Sequence, residues 1–445
     1  MNRNKYNSKK FLLKLFNEGI NIVKPNRILE RFININHSTI SILDNKKFIH
    51  YKNIKSIIPI CIGKASVEMA KSFNKIFKKS NQVIQKGIII VNEENFKKVK
   101  NFKCFKSGHP LPNYNGLIAK NYLKKKLSKT TQNDLILLML SGGGSAMLPY
   151  PPETITLEDK IYVNQQLLKS GANIIEINTV RKHLSLIKGG NFLKFTDPSK
   201  VHTLIISDVI GDDLTSISSG LTVPDPSTFK DVINICEKYN LIKKLPTNVL
   251  EYLKLGVKKI VPETPKKDNL IFKKCKNTII ASNTKSLERI YEILENKKIT
   301  VEIWKRNLEG NVKEVAKEMI KYLIKKKEPT FLISGGETTV KIVGKGKGGR
   351  NQELSLYFCL LMKKYLPKKK FIFLSGGTDG RDGPTNSAGG IVDHTSIDLC
   401  ERKKINIAEE LNNNNSYFIL EKINSHIMIK GTNTNVADIQ ILSIW

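Results

Sequence analysis

The seven residues from Asp134 to Leu140 read DLILLML and lead directly into the turn Ser141-Gly142-Gly143-Gly144. An almost continuous apolar run of this length is typical of a strand that is buried on both faces, as in a parallel sheet covered by helices. Parallel strands need a crossover connection, usually a helix, between them. The run therefore predicts an α/β fold in which glycine turns lead from strands into helices.

The alternation of strand-like and helix-like segments continues along the 445 residues. A first series contains the apolar run 56–62, and a second series starts with the strand-like residues 278–281. Between them, residues 255–274 are rich in lysine and proline, as in a linker. A chain of this length is long enough for two domains. We therefore predict two α/β domains, residues 1–254 and 275–445, joined by a linker at 255–274.

The net charge of +34 raises the alternative of a non-enzymatic polyanion-binding protein. However, the lysines are spread along the whole chain, mostly on the polar faces of predicted helices such as KNYLKKKL. No zinc-finger spacing or aromatic-basic motif accompanies them. No specific nucleic-acid partner is therefore expected.

Cellular location is constrained by what the sequence lacks. No apolar run approaches the ~18 residues of a membrane span, and a helical pattern carrying Glu18 follows the basic N-terminus, which disfavours a secretory signal. The six cysteines lie far apart without a CxxC pair, so neither a disulfide framework nor a zinc site is indicated. The expectation is a soluble cytoplasmic protein without a membrane partner.

The segment Ser334–Phe358 gives the strongest indication of function. Six glycines surround Glu337, Lys345, Lys347 and Arg350, and a helical pattern begins near Arg350. Glycines let backbone amides approach a phosphate, while cations and the positive end of a helix dipole attract it. An anion-binding loop is the favoured interpretation, and a mobile loop that only connects two elements is the alternative.

Other charged side chains follow predicted strands, where open α/β sheets bind ligands. Lys64 lies in the turn after the run 56–62, and Asp208 and Asp212 follow the strand 203–206. These aspartates could hold Mg²⁺ or accept a hydroxyl proton, and Asp379 lies in a further glycine-rich turn that could bind a metal. A solvated lysine and ordinary turn aspartates are the alternatives.

Two further features of the first series could bind an anion. The turn Ser141–Gly144 is a second candidate phosphate cradle, although it lacks the P-loop spacing. Arg181, Ser185 and Lys188 would share one face of a predicted helix. A tight turn and a solvated helix would look similar. His109, in the turn SGHPLPN, is interpreted as structural.

Several long motifs occur in one order from about Phe11 to the C-terminus: SGGGSAM, EINTVRKHLSLIKGG, SDVIGDD, SGGETTV, GKGKGGRNQE, GTDGRDGPTNSAGGIVD and TNVAD. Together they resemble the class II glycerate 2-kinases, whose C-terminal part is called the MOFRL domain. The resemblance implies a Rossmann-like N-terminal domain, a MOFRL-type C-terminal domain and an active site in the cleft between them. It also implies transfer of the γ-phosphoryl group of ATP to D-glycerate, assisted by Mg²⁺, by a monomer or homodimer.

The site residues follow from the same resemblance. The implied catalytic residues are Lys64, Asp208 and Arg350, and the candidate metal ligands are Asp208, Asp212 and Asp379. Which glycine turn takes phosphate and which takes the substrate carboxylate is left open. The implied substrate- and nucleotide-binding residues are Ser141, Gly142, Gly143, Gly144, Ser145, Asn178, Arg181, Lys188, Gly335, Gly336, Glu337, Gly346, Gly348, Gly349, Asn351, Thr378, Asp379, Thr434 and Asn435.

An NAD(P)H-dependent hydroxypyruvate reductase is the alternative enzyme. Residues 344–349 satisfy GxGxxG after the strand-like run TTVKIV and before a predicted helix. That fingerprint requires an acidic residue about 20 positions further on to bind the ribose. The corresponding stretch is Lys368-Lys369-Lys370, and the first acid beyond the next strand is Asp379. Kinase activity is therefore the favoured prediction.

Overall fold

The computed structural model describes residues 6–36, 39–78, 80–326 and 330–445. The chain forms two compact units. We call Ile28–Ile280 the central unit, and Met1–Arg27 together with Ala281–Trp445 the terminal unit. In chain order the helices are α1 (Lys9–Ile22), α2 (Pro25–Phe32), α3 (Ser66–Phe77), α4 (Tyr114–Leu127), α5 (Gly144–Met147), α6 (Leu157–Lys169), α7 (Ile174–His183), α8 (Phe192–Thr196), α9 (Phe229–Lys238), α10 (Thr247–Val257), α11 (Asn283–Glu295), α12 (Val312–Ile324), α13 (Arg350–Tyr365), α14 (Ser396–Arg402), α15 (Ile407–Asn412) and α16 (Ser416–Lys422). The strands are β1 (Ile33–Asn36), β2 (Thr39–Asp44), β3 (Lys47–Lys52), β4 (Ser56–Ile62), β5 (Gly87–Asn92), β6 (Phe102–Ser107), β7 (Asp134–Leu140), β8 (Lys200–Ile206), β9 (Cys275–Ala281), β10 (Val301–Asn311), β11 (Thr330–Thr339), β12 (Phe371–Gly377), β13 (Gly389–Asp393) and β14 (Asp438–Ile444).

The main sheet of the central unit has the strand order β6-β5-β4-β7-β8-β9. The pairs from β6 to β8 are all parallel, and every residue of β4 and β7 is buried, as their apolar sequences predict. The first strand of this series, β4, lies inside the sheet, and the order of connection reverses between β4 and β7. This is the doubly wound arrangement, in which ligands bind beyond the carboxyl ends of the strands at the reversal.

The sheet of the terminal unit has the order β10-β11-β14-β12-β13. Within it β10 pairs parallel with β11, β14 pairs antiparallel with both β11 and β12, and β13 pairs antiparallel with β12. The predicted fold of two α/β domains is confirmed. Strand β9, predicted as the first strand of the second series, instead completes the sheet of the central unit.

The division of the chain differs from the predicted one at its N-terminus. The apolar side chains of α1 recur at helical spacing, and Leu12, Leu15, Phe16 and Ile20 are buried in one core with residues of α11 and the terminal sheet. The described residues 6–27 therefore belong to the terminal unit. The predicted opening helix is also interrupted, since α1 ends at Ile22 and α2 begins at Pro25.

The stretch 255–274 was predicted as a linker but belongs to the central unit. The Thr264 hydroxyl donates to Asp225 Oδ2 at 3.1 Å, and Lys266 Nζ donates to the Asp225 carbonyl at 3.0 Å. Glu263 accepts a hydrogen bond from the amide of Phe229, the first residue of α9. These polar contacts attach the lysine-rich stretch to the unit, which composition alone does not reveal.

Among the described residues, no helix combines the length and the apolar character needed to cross a bilayer.

Candidate active site

Two turns meet at the carboxyl ends of β4 and β7, the neighbouring strands between which the order reverses. The Lys64 amide donates to the Gly142 carbonyl at 2.9 Å, and the Ala65 amide donates to Ser141 Oγ at 3.0 Å. Lys64 lies between β4 and α3, as predicted. These hydrogen bonds fix the lysine turn against the glycine turn.

Asp208 follows β8, the strand beside β7, and its side chain lies against Gly142. A Cβ atom on Gly142 would lie 2.0 Å from Asp208 Oδ2, so only glycine permits this approach. Burial raises the pKa of Asp208, and the nearby positive charge of Lys64 opposes that rise. The structure thus brings together two predicted catalytic residues, a carboxylate and a cation.

His109 lies on the other side of the same glycine turn. Gly143 has a φ of +84°, and a Cβ atom there would lie 2.8 Å from His109 Cδ2. Burial and the charge of Lys64 lower the pKa of His109 to about 4, so the ring is neutral at pH 7. The interpretation of His109 as structural missed this position, because the turn after β6 meets Gly143 only through the fold.

The glycine turn has backbone amides without an acceptor among the described residues. None of the amides from Gly142 to Ser145 donates a hydrogen bond to another described residue. Successive amides that face one concavity attract anions. This observation supports the second of the two predicted cradles.

Lys188 anchors the far end of this turn and is only 2% exposed. Its Nζ donates to the Ser145 carbonyl and, at 2.6 Å, to Ser145 Oγ. Ser145 Oγ lies 2.8 Å from Ser219 Oγ, and the Ser219 hydroxyl donates to Asn178 Oδ1 at 3.4 Å. Three predicted binding residues, Ser145, Asn178 and Lys188, are therefore joined through one hydrogen-bonded chain.

The predicted helical face of Arg181, Ser185 and Lys188 is wrong. Helix α7 ends at His183, so Ser185 and Lys188 lie beyond it. Arg181 is on the helix and donates from Nε to Asn164 Oδ1 at 2.7 Å. Arg181 and Lys188 still lie close enough to interact, since the charge of Arg181, after burial, contributes to lowering the pKa of Lys188.

Ser218 and Ser219 were not singled out from the sequence. Both have left-handed backbone conformations, with φ of 50° and 55°, which are costly for residues other than glycine. Ser218 Oγ is buried without a hydrogen-bond partner among the described residues and lies against Gly144. Strained backbone and an unpaired hydroxyl are typical of a ligand site, and no sequence signal predicts either.

Arg350 is the first residue of α13 in the terminal unit, as predicted. Its Nε and Nη2 donate to the two oxygens of the buried Asp438 at 2.6 and 2.9 Å, and Nη1 lies 3.1 Å from Glu337 Oε1. These carboxylates raise the pKa of Arg350, although burial opposes the rise. Arg350 is therefore already paired with two carboxylates of its own unit, and Asp438 was not singled out from the sequence.

The N-terminus of α13 is occupied by a carboxylate of the chain itself. Asp382 accepts hydrogen bonds from the amides of Asn351 at 3.2 Å and Gln352 at 2.9 Å. A Cβ atom on Gly349 would lie 2.3 Å from Asp382 Cγ, so the glycine makes room for this cap. Burial and the charge of Asp438 raise the pKa of Asp382 to about 6. The helix start that was expected to face phosphate faces Asp382.

Backbone amides of the glycine segment before α13 donate hydrogen bonds to other residues of the same unit. The amides of Val343 and Gly344 donate to Asn414 Oδ1, and those at positions 345–347 donate to Asn413 and Asn415. Of the expected phosphate cradle, the Gly346 amide is therefore occupied, whereas the amides of Gly348 and Gly349 donate to no described residue and stay predicted phosphate donors. Gly335, Gly336 and Glu337 lie within β11 and not in a loop.

The remaining predicted binding residues of the terminal unit make internal contacts. Thr378 Oγ1 donates to the Ala437 carbonyl at 2.7 Å, and Thr434 Oγ1 donates to the Val23 carbonyl at 3.2 Å. Asn435 Oδ1 accepts from the Ala437 amide at 3.1 Å. Asn351, fully buried, accepts from the Ser375 hydroxyl at 2.6 Å, and Asp379 Oδ1 accepts from the Arg381 amide at 3.0 Å.

No group of three or more His, Cys, Asp or Glu side chains in the described part of the chain is arranged to hold a metal ion. Asp208 and Asp212 lie in the central unit and Asp379 in the terminal unit. Mg²⁺ that arrives with a nucleotide needs only one or two protein carboxylates, because phosphate oxygens and water complete its shell. The carboxylate of Asp208 meets that smaller requirement.

Comparison with known proteins gives consistent results. A family model described as a domain of unknown function, DUF4147, matches residues 11–254, and the MOFRL family model matches residues 330–438. A glycerate 2-kinase from Pyrococcus horikoshii is 35% identical over 438 residues, which cover 96% of each chain. This chain belongs to the glycerate kinase family that carries a MOFRL domain. The family predicted from the motifs is thus confirmed.

Two further members of the family are informative. The crystal structure of a glycerate kinase from Thermotoga maritima matches this fold with a TM-score of 0.83 at 32% identity, covering 98% of this chain and 99% of that one. A protein from Agrobacterium vitis, named a putative hydroxypyruvate reductase, is 32% identical over 86% of each chain.

Proposed function

We propose that this chain transfers the γ-phosphoryl group of ATP to D-glycerate. The observation that carries the proposal is the group formed by Lys64, Asp208 and the unpaired amides of 142–145 at the strand reversal of the central sheet. The names of the Pyrococcus horikoshii and Thermotoga maritima relatives support it.

Asp208 accepts the proton of the glycerate hydroxyl that receives the phosphoryl group. A raised pKa makes a carboxylate a better proton acceptor near neutral pH. As the glycerate oxygen bonds to the γ-phosphorus, its proton passes to Asp208, and the bond from that phosphorus to the β-phosphate oxygen breaks. ADP leaves with the bonding electrons. Mg²⁺ bound with ATP would supply charge neutralisation on the phosphates.

Lys64 and the amides of the glycine turn stabilise the negative charge that spreads over the transferring group. Phosphoryl transfer depends mainly on positioning and on electrostatic stabilisation of this kind. Within the terminal unit, Arg350 stays a predicted phosphate ligand. A phosphate there would displace its contact with Glu337, while the bidentate contact with Asp438 holds the guanidinium in place.

The experiment is a coupled assay of the purified full chain with ATP, Mg²⁺ and D-glycerate, with phosphorus NMR to assign the product. We expect ADP and 2-phosphoglycerate, in line with relatives named glycerate 2-kinase. Lys64→Met should lower kcat by at least about 100-fold, whereas Lys71→Met, on the exposed side of the following helix, should not. A product phosphorylated at the 3-hydroxyl would overturn the choice of acceptor, and no ADP would overturn the function.

The reductase is the second candidate because of the name of the Agrobacterium vitis relative. The GxGxxG match does not support it, since β11 ends at Thr339 and the glycine segment binds its amides internally. NADH with hydroxypyruvate should therefore show no oxidation. Steady NADH oxidation without any ADP from the kinase assay would favour the reductase.

A further inference from the structure

Three cations of the central unit lie near one another without an acidic partner. Lys160 is on α6, Arg181 is on α7, and Lys188 follows α7. No carboxylate among the described residues forms an ion pair with any of them. A buried cation without an anion is costly, and proteins usually pair it.

The contacts of these cations are all with neutral oxygens. Lys160 is 8% exposed and donates to the Leu184 carbonyl at 2.6 Å. Arg181 donates a hydrogen bond from Nε to Asn164 Oδ1, and Lys188 donates from Nζ to the carbonyl and hydroxyl oxygens of Ser145. The group therefore has donors in excess and lacks a negative charge. Ser145, at the edge of the group, is partly exposed and can admit a ligand.

The cations also oppose each other's charge. Burial, followed by the charge of Arg181, lowers the pKa of Lys160 to about 7. Burial lowers the pKa of Lys188 well below its ordinary value, and the charges of Lys160 and Arg181 add to this effect. A bound anion would stabilise the ammonium form of Lys188 and so raise its pKa again.

We propose that Lys188, supported by Arg181 and Lys160, binds the carboxylate of D-glycerate as an ammonium ion, and that the site takes up protons on binding. The inference rests on the proposed function and names the group that holds the substrate's charged end. The turn 141–145 has Asp208 against its first glycine and Lys188 on its last residue. Asp208 is thereby assigned the hydroxyl of the substrate and Lys188 its carboxylate.

The experiment is calorimetric titration of the full chain with D-glycerate at pH 8, in buffers of different ionisation enthalpy. Wild type should take up protons as glycerate binds, and its Kd should rise with pH above pH 8. Glycerol, which lacks the carboxylate, should not bind. Glycerate binding without proton uptake would overturn the proposal. So would uptake that accompanies an ATP analogue and not glycerate, since Lys188 would then serve a phosphate.

Variants of Lys188 separate its role from a structural one. Lys188→Met should weaken glycerate binding at least about tenfold and lower the proton uptake. Lys188→Arg keeps a permanent charge, so it should retain binding while lowering both the proton uptake and the pH dependence. Lys169→Met, an exposed position on α6, is the matched control and should behave as wild type. Unchanged uptake in Lys188→Arg would contradict the assignment.

These results are distinguishable from a failure of the proposed function. If glycerate binds with proton uptake but no ADP forms in the kinase assay, the carboxylate site stands and the kinase proposal fails. If ADP forms and glycerate binds without proton uptake, the kinase stands and the role of Lys188 fails.

Discussion

Gly142 positions a carboxylate through its lack of a side chain. Asp208 Oδ2 occupies the space where a Cβ atom would lie, 2.0 Å away. In Gly142→Ala the carboxylate must move, and this move is cheap for the fold because only the end of a flexible side chain shifts. We expect kcat to fall at least about tenfold with little change in Tm, since a misplaced base costs rate.

Gly431→Ala is the control for that substitution, because a Cβ atom at Gly431 would meet no atom within 4 Å. It should leave both kcat and Tm unchanged. Equal activity in the two variants would mean that the position of Asp208 does not matter.

Asp382 links stability to pH. Its pKa is raised to about 6 in the fold from an ordinary value of 3.8, so the folded state binds more protons between these values. The stability that this proton contributes is fully present below about pH 4 and is lost as pH rises through about 6, a change of up to about 3 kcal/mol. Asp382→Asn cannot titrate.

The unfolding free energy of Asp382→Asn, measured relative to wild type by urea denaturation, should therefore increase between pH 4 and 7. An offset between the two proteins that stays constant over this range would show that Asp382 keeps an ordinary pKa.

At the level of elements, the stretch 255–274 shows where composition misleads. Lys266 is one of several lysines there, yet its Nζ donates to the carbonyls of Asp225 and Ser227 and to the Thr264 hydroxyl. Lys266→Ala leaves these partly buried acceptors unpaired, so the central unit should lose about 1–3 kcal/mol in urea unfolding. Lys267→Ala, an exposed neighbour, should lose none. A similar small effect for both variants would restore the linker interpretation.

The elements around the site could be predicted in part. The all-apolar run of β7 and its glycine turn, Lys64 after β4 and Asp208 after β8 follow from local pattern, and the structure has each of them where it was expected. Ser218, Ser219 and His109 could not be predicted as site residues, because only the packing of distant turns brings them to residues 142–145. The internal hydrogen bonds of the glycine segment before α13 could not be predicted for a related reason, since their acceptors, Asn413 to Asn415, lie more than 60 residues away.

In the whole molecule, α1 packs against the core of the terminal unit, so we expect the N-terminal helix to stabilise that unit. Phe16 is fully buried against the terminal core, so Phe16→Ala should cost about 3–5 kcal/mol. Hydrogen exchange should show the loss of protection in residues 281–445 and not in 28–280. Lys14→Ala, on the exposed side of α1, is the control. Loss of protection confined to the central unit would contradict the division of the chain.

The interrupted terminal unit has a consequence for synthesis on the ribosome. Helix α1 is made first, but its partner α11 follows only after the central unit, roughly 250 residues later. At the ~5–20 residues per second of translation, that interval lasts about 10–50 s. The sheet cannot close until β14, the strand between β11 and β12, has also emerged. During that time Leu12, Leu15, Phe16 and Ile20 present an uncovered apolar face, which makes α1 a ready binding site for a chaperone on the growing chain.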